Sequence, residues 1–243
     1  MYIQIIEKCN FSCSHCCWDC KSSGQNMSLS TFKMAVALSN ELGNYITLGG
    51  GEPTLHPKMW EFIGYALSQC VEDVGLFIVT NGSQTDTAIG LARMAQRGIM
   101  GAALSRTRFH DEIDPQVVKA FTRPDRRGEG HFYQDGRSND LREIRGDGKK
   151  WPYTPIRVGR AKRLQDTREG CACEEWFVTP TGRIHFCGCP GAPVVGSART
   201  GIGNKWLEYR NIDLTCYKQL SGCSGYKGSK EKHHEEARSI WTS

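Results

Sequence analysis

The chain has 243 residues, of which 39% are hydrophobic and 23% charged, and it carries a formal net charge of +5. This length can bury one sizeable core, or a main domain with a small appendage, and the composition is that of a globular protein. The charge is too modest to indicate a nucleic-acid partner by itself. No apolar run approaches the roughly 20 residues that span a bilayer, and the N-terminus lacks the order of a signal peptide. We therefore expect a cytoplasmic protein without a membrane partner.

Strands and helices alternate along the first half of the chain. The apolar patterns predict strands at residues 2–6, 45–48, 76–80 and 99–104, and helices at residues 31–42, 56–67, 85–96 and 115–121. Ser30 is the expected N-cap of the first helix and Gly43 its C-terminal stop. The alternation is typical of a parallel α/β sheet with right-handed crossovers. In such sheets the functional site lies at the carboxyl ends of the strands.

The chain contains 12 cysteines, which indicate either disulfides or metal-binding thiolates. The absence of an export signal favours metal. Eleven of them form an N-terminal group and a later group, namely Cys9, Cys13, Cys16, Cys17 and Cys20, and then Cys171, Cys173, Cys187, Cys189, Cys216 and Cys223. Three thiolates on one short loop can bind three corners of a 4Fe-4S cluster, which commonly takes four cysteines. The fourth iron would then be open to a small ligand.

The spacing Cys-x3-Cys-x2-Cys after the first strand, with Gly-Gly-Glu-Pro after the second, resembles the radical SAM superfamily. The resemblance implies a partial (β/α) barrel, here with fewer than six regular strands. It also implies that Cys9, Cys13 and Cys16 hold a 4Fe-4S cluster whose open iron binds S-adenosylmethionine. The residues that match the family's motif for the methionine amino group are Gly50, Gly51, Glu52 and Pro53. Asn81 and Ser105, at the ends of the third and fourth strands, are further candidates for contacts with this cofactor.

In that family, an electron from the cluster cleaves S-adenosylmethionine to methionine and a 5′-deoxyadenosyl radical, which abstracts hydrogen from the substrate. The resemblance therefore implies a one-electron donor such as a flavodoxin or a ferredoxin. A lone three-cysteine motif is also compatible with a zinc site, and a lone glycine-rich turn has no specific chemistry. The two motifs on the expected loops favour the cluster. Cys17 and Cys20 fall outside the pattern, and for them zinc binding or a spare thiol stays open.

The later cysteines flank a predicted β-hairpin at residues 176–186, with its turn at residues 179–182. Pairing of its strands would bring the flanking cysteines together. The segment resembles the start of the SPASM and twitch extensions, which hold auxiliary iron-sulfur clusters. We expect one auxiliary cluster, with the ligands Cys171, Cys173 and Cys187 and a fourth among Cys189, Cys216 and Cys223. A zinc ribbon is the alternative.

The sequence thus predicts a core at residues 1–160 and a small cysteine-rich hairpin cap at residues 161–243. Residues 156–158 are a candidate for a late core strand, and Gly159-Arg160-Ala161 resembles a segment near the end of the core in SPASM-type members. A core this short would leave one side open, which either admits a large substrate, such as a peptide, or is closed by the cap or by a second subunit.

Modification of a peptide or protein side chain is the predicted activity, because it is common among radical SAM proteins with auxiliary clusters. Dehydrogenation or rearrangement of a sugar or nucleotide is the alternative among enzymes. A zinc protein that binds nucleic acid is the alternative from another class, and it leaves Gly-Gly-Glu-Pro unexplained.

Overall fold

The computed structural model describes residues 1–42, 45–69, 75–121, 139–140, 155, 157–167, 176–188 and 192–203. The strands are β1 (Tyr2–Ile6), β2 (Ile46–Gly50), β3 (Leu76–Thr80), β4 (Gly101–Leu104), β5 (Asn139–Asp140), β6 (Phe177–Val178), β7 (Arg183–His185), β8 (Val194–Ser197) and β9 (Gly201–Ile202). The helices are α1 (Leu29–Glu41), α2 (Met59–Gln69), α3 (Thr85–Gln96) and α4 (Pro115–Phe121), with short 3-10 helices at Pro53–Leu55 and Gly159–Arg163.

The described strands form one mixed sheet in the order β5-β4-β3-β2-β1-β6-β7-β8-β9. Strands β5 to β1 and β6 are parallel to their neighbours, and β6 to β9 continue as an antiparallel meander. Strand β1 is therefore an interior strand, with Tyr2 opposite both Thr47 of β2 and Phe177 of β6. This architecture confirms the predicted α/β class with an open parallel sheet.

One face of the sheet packs against the helices. Alternate strand residues point to opposite faces, and Ile3 and Ile5 of β1 belong to the buried core whereas Tyr2 and Gln4 do not. The rings of Phe32 in α1 and Phe62 in α2 stack 4.2 Å apart within this core. The opposite face of β1 carries the aromatic Tyr2 and the polar Gln4. The Tyr2 hydroxyl accepts the Gly50 N–H at 3.0 Å, at the carboxyl end of β2.

Several helix and strand limits agree with the sequence, and a few differ. The helix α1 begins at Leu29 because Ser28, not Ser30, accepts the Thr31 N–H with its side chain at 3.1 Å. The helix α2 begins at Met59, three residues later than expected, because the His56 ring accepts the Lys58 N–H and closes a turn there. The expected stop at Gly43 lies outside the described residues.

The late core strand expected at residues 156–158 is not formed by Arg157 and Val158, which bend into the 3-10 helix that follows. The short strand beside β4 is instead Asn139–Asp140. The hairpin is confirmed, since β6 pairs with β7 and Gly182 donates to Thr179 O across the turn. In the part of the chain that the structure describes, no helix is long and apolar enough to cross a membrane.

Candidate metal and cofactor site

The cysteine loop (residues 9–20) leaves the carboxyl end of β1 and returns beside it. Cys9 N–H donates to Lys21 O at 2.7 Å, and Glu7 N–H donates to Gln25 O at 2.9 Å. A further hydrogen bond, from Cys16 N–H to Cys13 O at 3.2 Å, closes a turn inside the loop. The backbone therefore fixes the three predicted cluster ligands on one compact loop.

The thiols of Cys9, Cys13 and Cys16 are partly buried on this loop, and the charges of Cys9 and Cys16 act on Cys13. Burial, followed by the charges of Cys9 and Cys16, raises the pKa of Cys13 to about 12. Burial also raises the pKa of Cys9, although Phe11 N–H donates to its sulfur at 3.4 Å and opposes the rise. Three partly buried thiolates on one loop are stabilised by a cationic centre, so this donor set fits an iron-sulfur cluster.

Cys16 differs from the other two because Cys20 supports its thiolate. Hydrogen bonding with the Cys20 thiol lowers the pKa of Cys16 and raises that of Cys20. The Cys20 N–H also donates to Cys16 Sγ at 3.4 Å. Cys20, which the sequence left without a role, is therefore a buried hydrogen-bond donor to a predicted ligand.

The glycine turn (residues 49–53) lies directly against the start of the cysteine loop. Gly51 N–H donates to Ile6 O and Glu52 N–H to Lys8 O, each at 2.8 Å. A Cβ on Gly51 would meet Lys8 O at 2.1 Å, and Gly50, at φ +152, would meet Ile6 O at 2.2 Å. The glycines are required here because the two backbones approach too closely for any side chain.

Glu52 connects the end of β2 to the end of β3. Its side chain is 1% exposed, and burial raises its pKa. Thr54 donates to Oε1 from its N–H at 3.1 Å and its hydroxyl at 2.6 Å, Thr80 Oγ1 donates to Oε1 at 2.7 Å, and Asn81 N–H donates to Oε2 at 2.7 Å. This carboxylate is therefore a brace between two strand ends at the rim of the site.

Asn81 and Ser105 lie at the same rim. Asn81 Nδ2 lies 3.8 Å from Cys9 Sγ and donates to Asn10 Oδ1 at 3.2 Å, while Ser105 N–H donates to Thr80 O at 2.8 Å. The structure thus brings Asn81 to the cysteine loop, and places Ser105 beside the end of β3.

The loop after β4 (residues 105–110) packs on the cysteine loop through aromatic rings. The centroid of the His15 ring lies 4.9 Å from those of both Phe109 and His110. Burial, with a smaller effect of the Arg160 charge, lowers the pKa of His15 to about 4, so its ring is neutral at neutral pH. Ligand atoms of Cys13, His15 and His110 lie within 4.8 Å of one another. Sequence reasoning missed these histidines, although His15 stands inside the motif.

Of the later cysteines predicted as ligands, the structure describes Cys187, whereas Cys171, Cys173 and Cys189 lie outside the described residues. Cys187 is buried just after β7, and Trp18 Nε1 donates to Gly188 O at 2.6 Å. Trp18 also packs on Tyr2 and Phe177, at ring separations of 5.1 and 5.4 Å. A cavity of about 340 Å³ lies beside this contact, lined among others by Gln4, Cys20, Thr179 and His185.

The family model of the radical SAM superfamily matches residues 3–127, and the chain belongs to that superfamily. The cofactors of this chain are accordingly those of the superfamily, a 4Fe-4S cluster and S-adenosylmethionine. The chain is 31% identical over 120 residues to the mycofactocin maturase MftC of Mycobacterium ulcerans (strain Agy99), a match that covers 47% of this chain and 30% of that protein. The corresponding protein of Mycolicibacterium smegmatis (strain ATCC 700084 / mc(2)155) is 29% identical over 135 residues, 53% of this chain and 30% of the relative.

Among solved structures, the chain resembles BtrN in complex with AdoMet and 2-DOIA, with a TM-score of 0.56 and 15% identity. The match covers 90% of this chain and 85% of that one, and it shows a shared fold. The matches to the two maturases, by contrast, cover less than a third of their length.

Proposed function

We propose that this protein cleaves S-adenosylmethionine reductively and uses the resulting 5′-deoxyadenosyl radical to abstract hydrogen from a peptide or protein side chain. The observation that carries the proposal is the position of Cys9, Cys13 and Cys16 on one loop at the carboxyl end of β1, where the charges of Cys9 and Cys16 act on Cys13. The likeness to proteins named maturases supports a peptide or protein substrate. Bound to these thiols, the cluster would supply the electron that cleaves the sulfonium.

The glycine turn would bind the methionine amino group of the cofactor. An ammonium requires acceptors, and the Glu52 carboxylate already accepts four hydrogen bonds from Thr54, Thr80 and Asn81. The acceptors are therefore the backbone carbonyls of the turn, including those of Gly50 and Gly51. Pro53 fixes its own φ and begins the 3-10 helix that follows the turn. In this proposal Glu52 acts by fixing the turn, and Asn81 and Ser105 contribute polar contacts at the neighbouring strand ends.

The later cysteines would hold one auxiliary iron-sulfur cluster in a hairpin cap at residues 161–243, beyond a core at residues 1–160. The proposed ligands are Cys171, Cys173 and Cys187, with a fourth among Cys189, Cys216 and Cys223. The burial of Cys187 at the end of β7 supports a structured site there. A flavodoxin or ferredoxin is the proposed electron donor, because reductive cleavage of the cofactor requires one electron from outside.

The test is formation of 5′-deoxyadenosine by anaerobically reconstituted protein with dithionite and S-adenosylmethionine. Wild-type protein is expected to release the nucleoside, and Cys13→Ala to release none, because two remaining thiols do not hold the cluster. Cys17→Ala is the matched control in the same loop and should behave like wild type. A colourless, zinc-loaded wild type without nucleoside formation would contradict the proposal. Adding candidate peptides, sugars and nucleotides then identifies the substrate class by stimulation of cleavage.

A further inference from the structure

A segment far along the chain packs tightly on the cysteine loop. Gly159 adopts φ +55, and a Cβ there would meet Cys17 O at 2.1 Å and Cys16 O at 2.6 Å. The next residue, Arg160, donates its N–H to Cys16 O at 2.9 Å. Because only a glycine permits this approach, the backbone at Gly159 delivers the Arg160 side chain to the base of the cysteine loop.

The Arg160 guanidinium is a sheltered charge. Its side chain is 16% exposed, and Nε lies 3.5 Å from Asp19 Oδ1. That contact lacks hydrogen-bond geometry, so Arg160 Nε is a buried donor without a hydrogen-bond partner among the described residues. A cation held out of water acts on its neighbours more strongly than an exposed one, because solvent screens it less.

Asp19 is the matching anion of the same loop. It has the one positive φ, 53°, among non-glycine residues in the described ranges, a conformation that aspartate tolerates better than most residues. Its carboxylate lies between Arg160 and Lys21, whose Nζ is 3.4 Å from Oδ2. Since the Asp19 side chain is 47% exposed, it offsets the Arg160 charge only in part.

We propose that Arg160 is a positioning residue that raises the reduction potential of the cluster held by Cys9, Cys13 and Cys16, and that Asp19 limits this effect. The inference rests on the proposed function, since it requires a cluster on these thiols. Reduction adds one negative charge to the cluster, which a fixed cation stabilises and a fixed anion opposes. Net charge and hydrogen bonding near a cluster are among the factors that set its potential.

The placement of Arg160 rests on two contacts with the cysteine loop. Its backbone N–H donates to Cys16 O at 2.9 Å, and its Nε lies 3.5 Å from Asp19 Oδ1. The sheltered cation therefore adjoins the loop that carries the three predicted ligands.

The test is a redox titration of the reconstituted cluster, followed by electron paramagnetic resonance of the reduced form, in wild type, Arg160→Gln, Arg160→Lys and Asp19→Asn. We expect Arg160→Gln to shift the equilibrium about tenfold towards the oxidised cluster, which is about 59 mV for a one-electron couple. Arg160→Lys keeps the charge and should stay close to wild type. Asp19→Asn should shift the potential in the opposite direction and by less.

A merely structural role for Arg160 predicts a different pattern. All these variants keep the backbone N–H that binds Cys16 O, so a structural role would change cluster content without moving the potential in opposite directions. Unchanged potentials in both Arg160→Gln and Asp19→Asn would overturn the inference, and if Arg160→Gln holds no cluster, the sign of the Asp19→Asn shift decides. Potential shifts without 5′-deoxyadenosine formation would support the inference and contradict the proposed function. A wild type that assembles no cluster would overturn both.

Discussion

The two cysteine regions of this molecule differ in how the fold holds them. The cysteine loop is fixed from several sides: by its own return at Lys21, by the glycine turn, by Asn81 and by Gly159. Cys187, in contrast, follows a hairpin strand, and the described contact that joins its neighbour Gly188 to the cysteine loop is the Trp18 indole. The first site is thus held by contacts from several loops, whereas Cys187 follows a strand in another part of the same sheet, and changes at each should have separable effects.

The largest effect that separates the two regions is expected for Cys187→Ala. Because Cys187 lies outside the cysteine loop, we expect cofactor cleavage to persist while product formation from the substrate is lost. The measurement is 5′-deoxyadenosine and product in the same reaction, with iron content determined beforehand. A full product yield would remove the auxiliary cluster from the mechanism.

A smaller effect, on stability, is expected for Glu52→Gln. The amide nitrogen would face a backbone donor, either the Asn81 N–H or the Thr54 N–H, at a residue that is 1% exposed. An unsatisfied buried donor costs about 1–3 kcal/mol, so the free energy of unfolding should fall by that amount. Urea denaturation measures it.

Glu112→Gln is the control for this substitution, because that carboxylate is 71% exposed and pairs with Arg106 at the surface. It should change the free energy of unfolding by much less. Equal losses in the two variants would mean that Glu52 does not brace the strand ends.

The smallest effect is expected for Trp18→Phe. This change keeps a ring on Tyr2 and Phe177 but removes the N–H that donates to Gly188 O at 2.6 Å. Loss of one such hydrogen bond costs about 0.5–1.5 kcal/mol. Limited proteolysis should then cut after β7 sooner than in wild type, while cluster content in the cysteine loop stays the same. Loss of that cluster instead would show that the two regions are not separable.

Local features of this fold could be predicted from the sequence. Strand β3 and helix α3 have the expected limits, because Gly75 and Gly98 mark boundaries that the apolar pattern alone would leave open. The three cysteines and the glycine turn could be recognised because each motif is short and continuous in the sequence and directly follows a predicted strand. The two loops are adjacent because β1 and β2 are parallel neighbours. The helix cap was misplaced because Ser28 and Ser30 are both suitable, and only the backbone geometry selects Ser28.

Contacts between distant residues could not be predicted. The hydrogen bond from Arg160 to Cys16 joins residues far apart in the chain, and no periodicity or spacing marks it. The same holds for the stacking of His15 on Phe109, and for the Cys20 thiol, whose role depends on how the loop turns. These are the contacts that set the electrostatics of the site, so its chemistry is less evident from the sequence than its ligands are.

The interior position of β1 has a consequence for synthesis of the protein on the ribosome. Its segment Tyr-Ile-Gln-Ile-Ile can pair with β2 once Gly50 has emerged, but its other edge waits for Phe177–Val178. During that interval the nascent chain presents an unpaired, apolar edge, the kind of surface on which other chains aggregate. Fragments that end before the hairpin should therefore precipitate during expression, and a chaperone that shields strand edges should improve the yield of the whole protein.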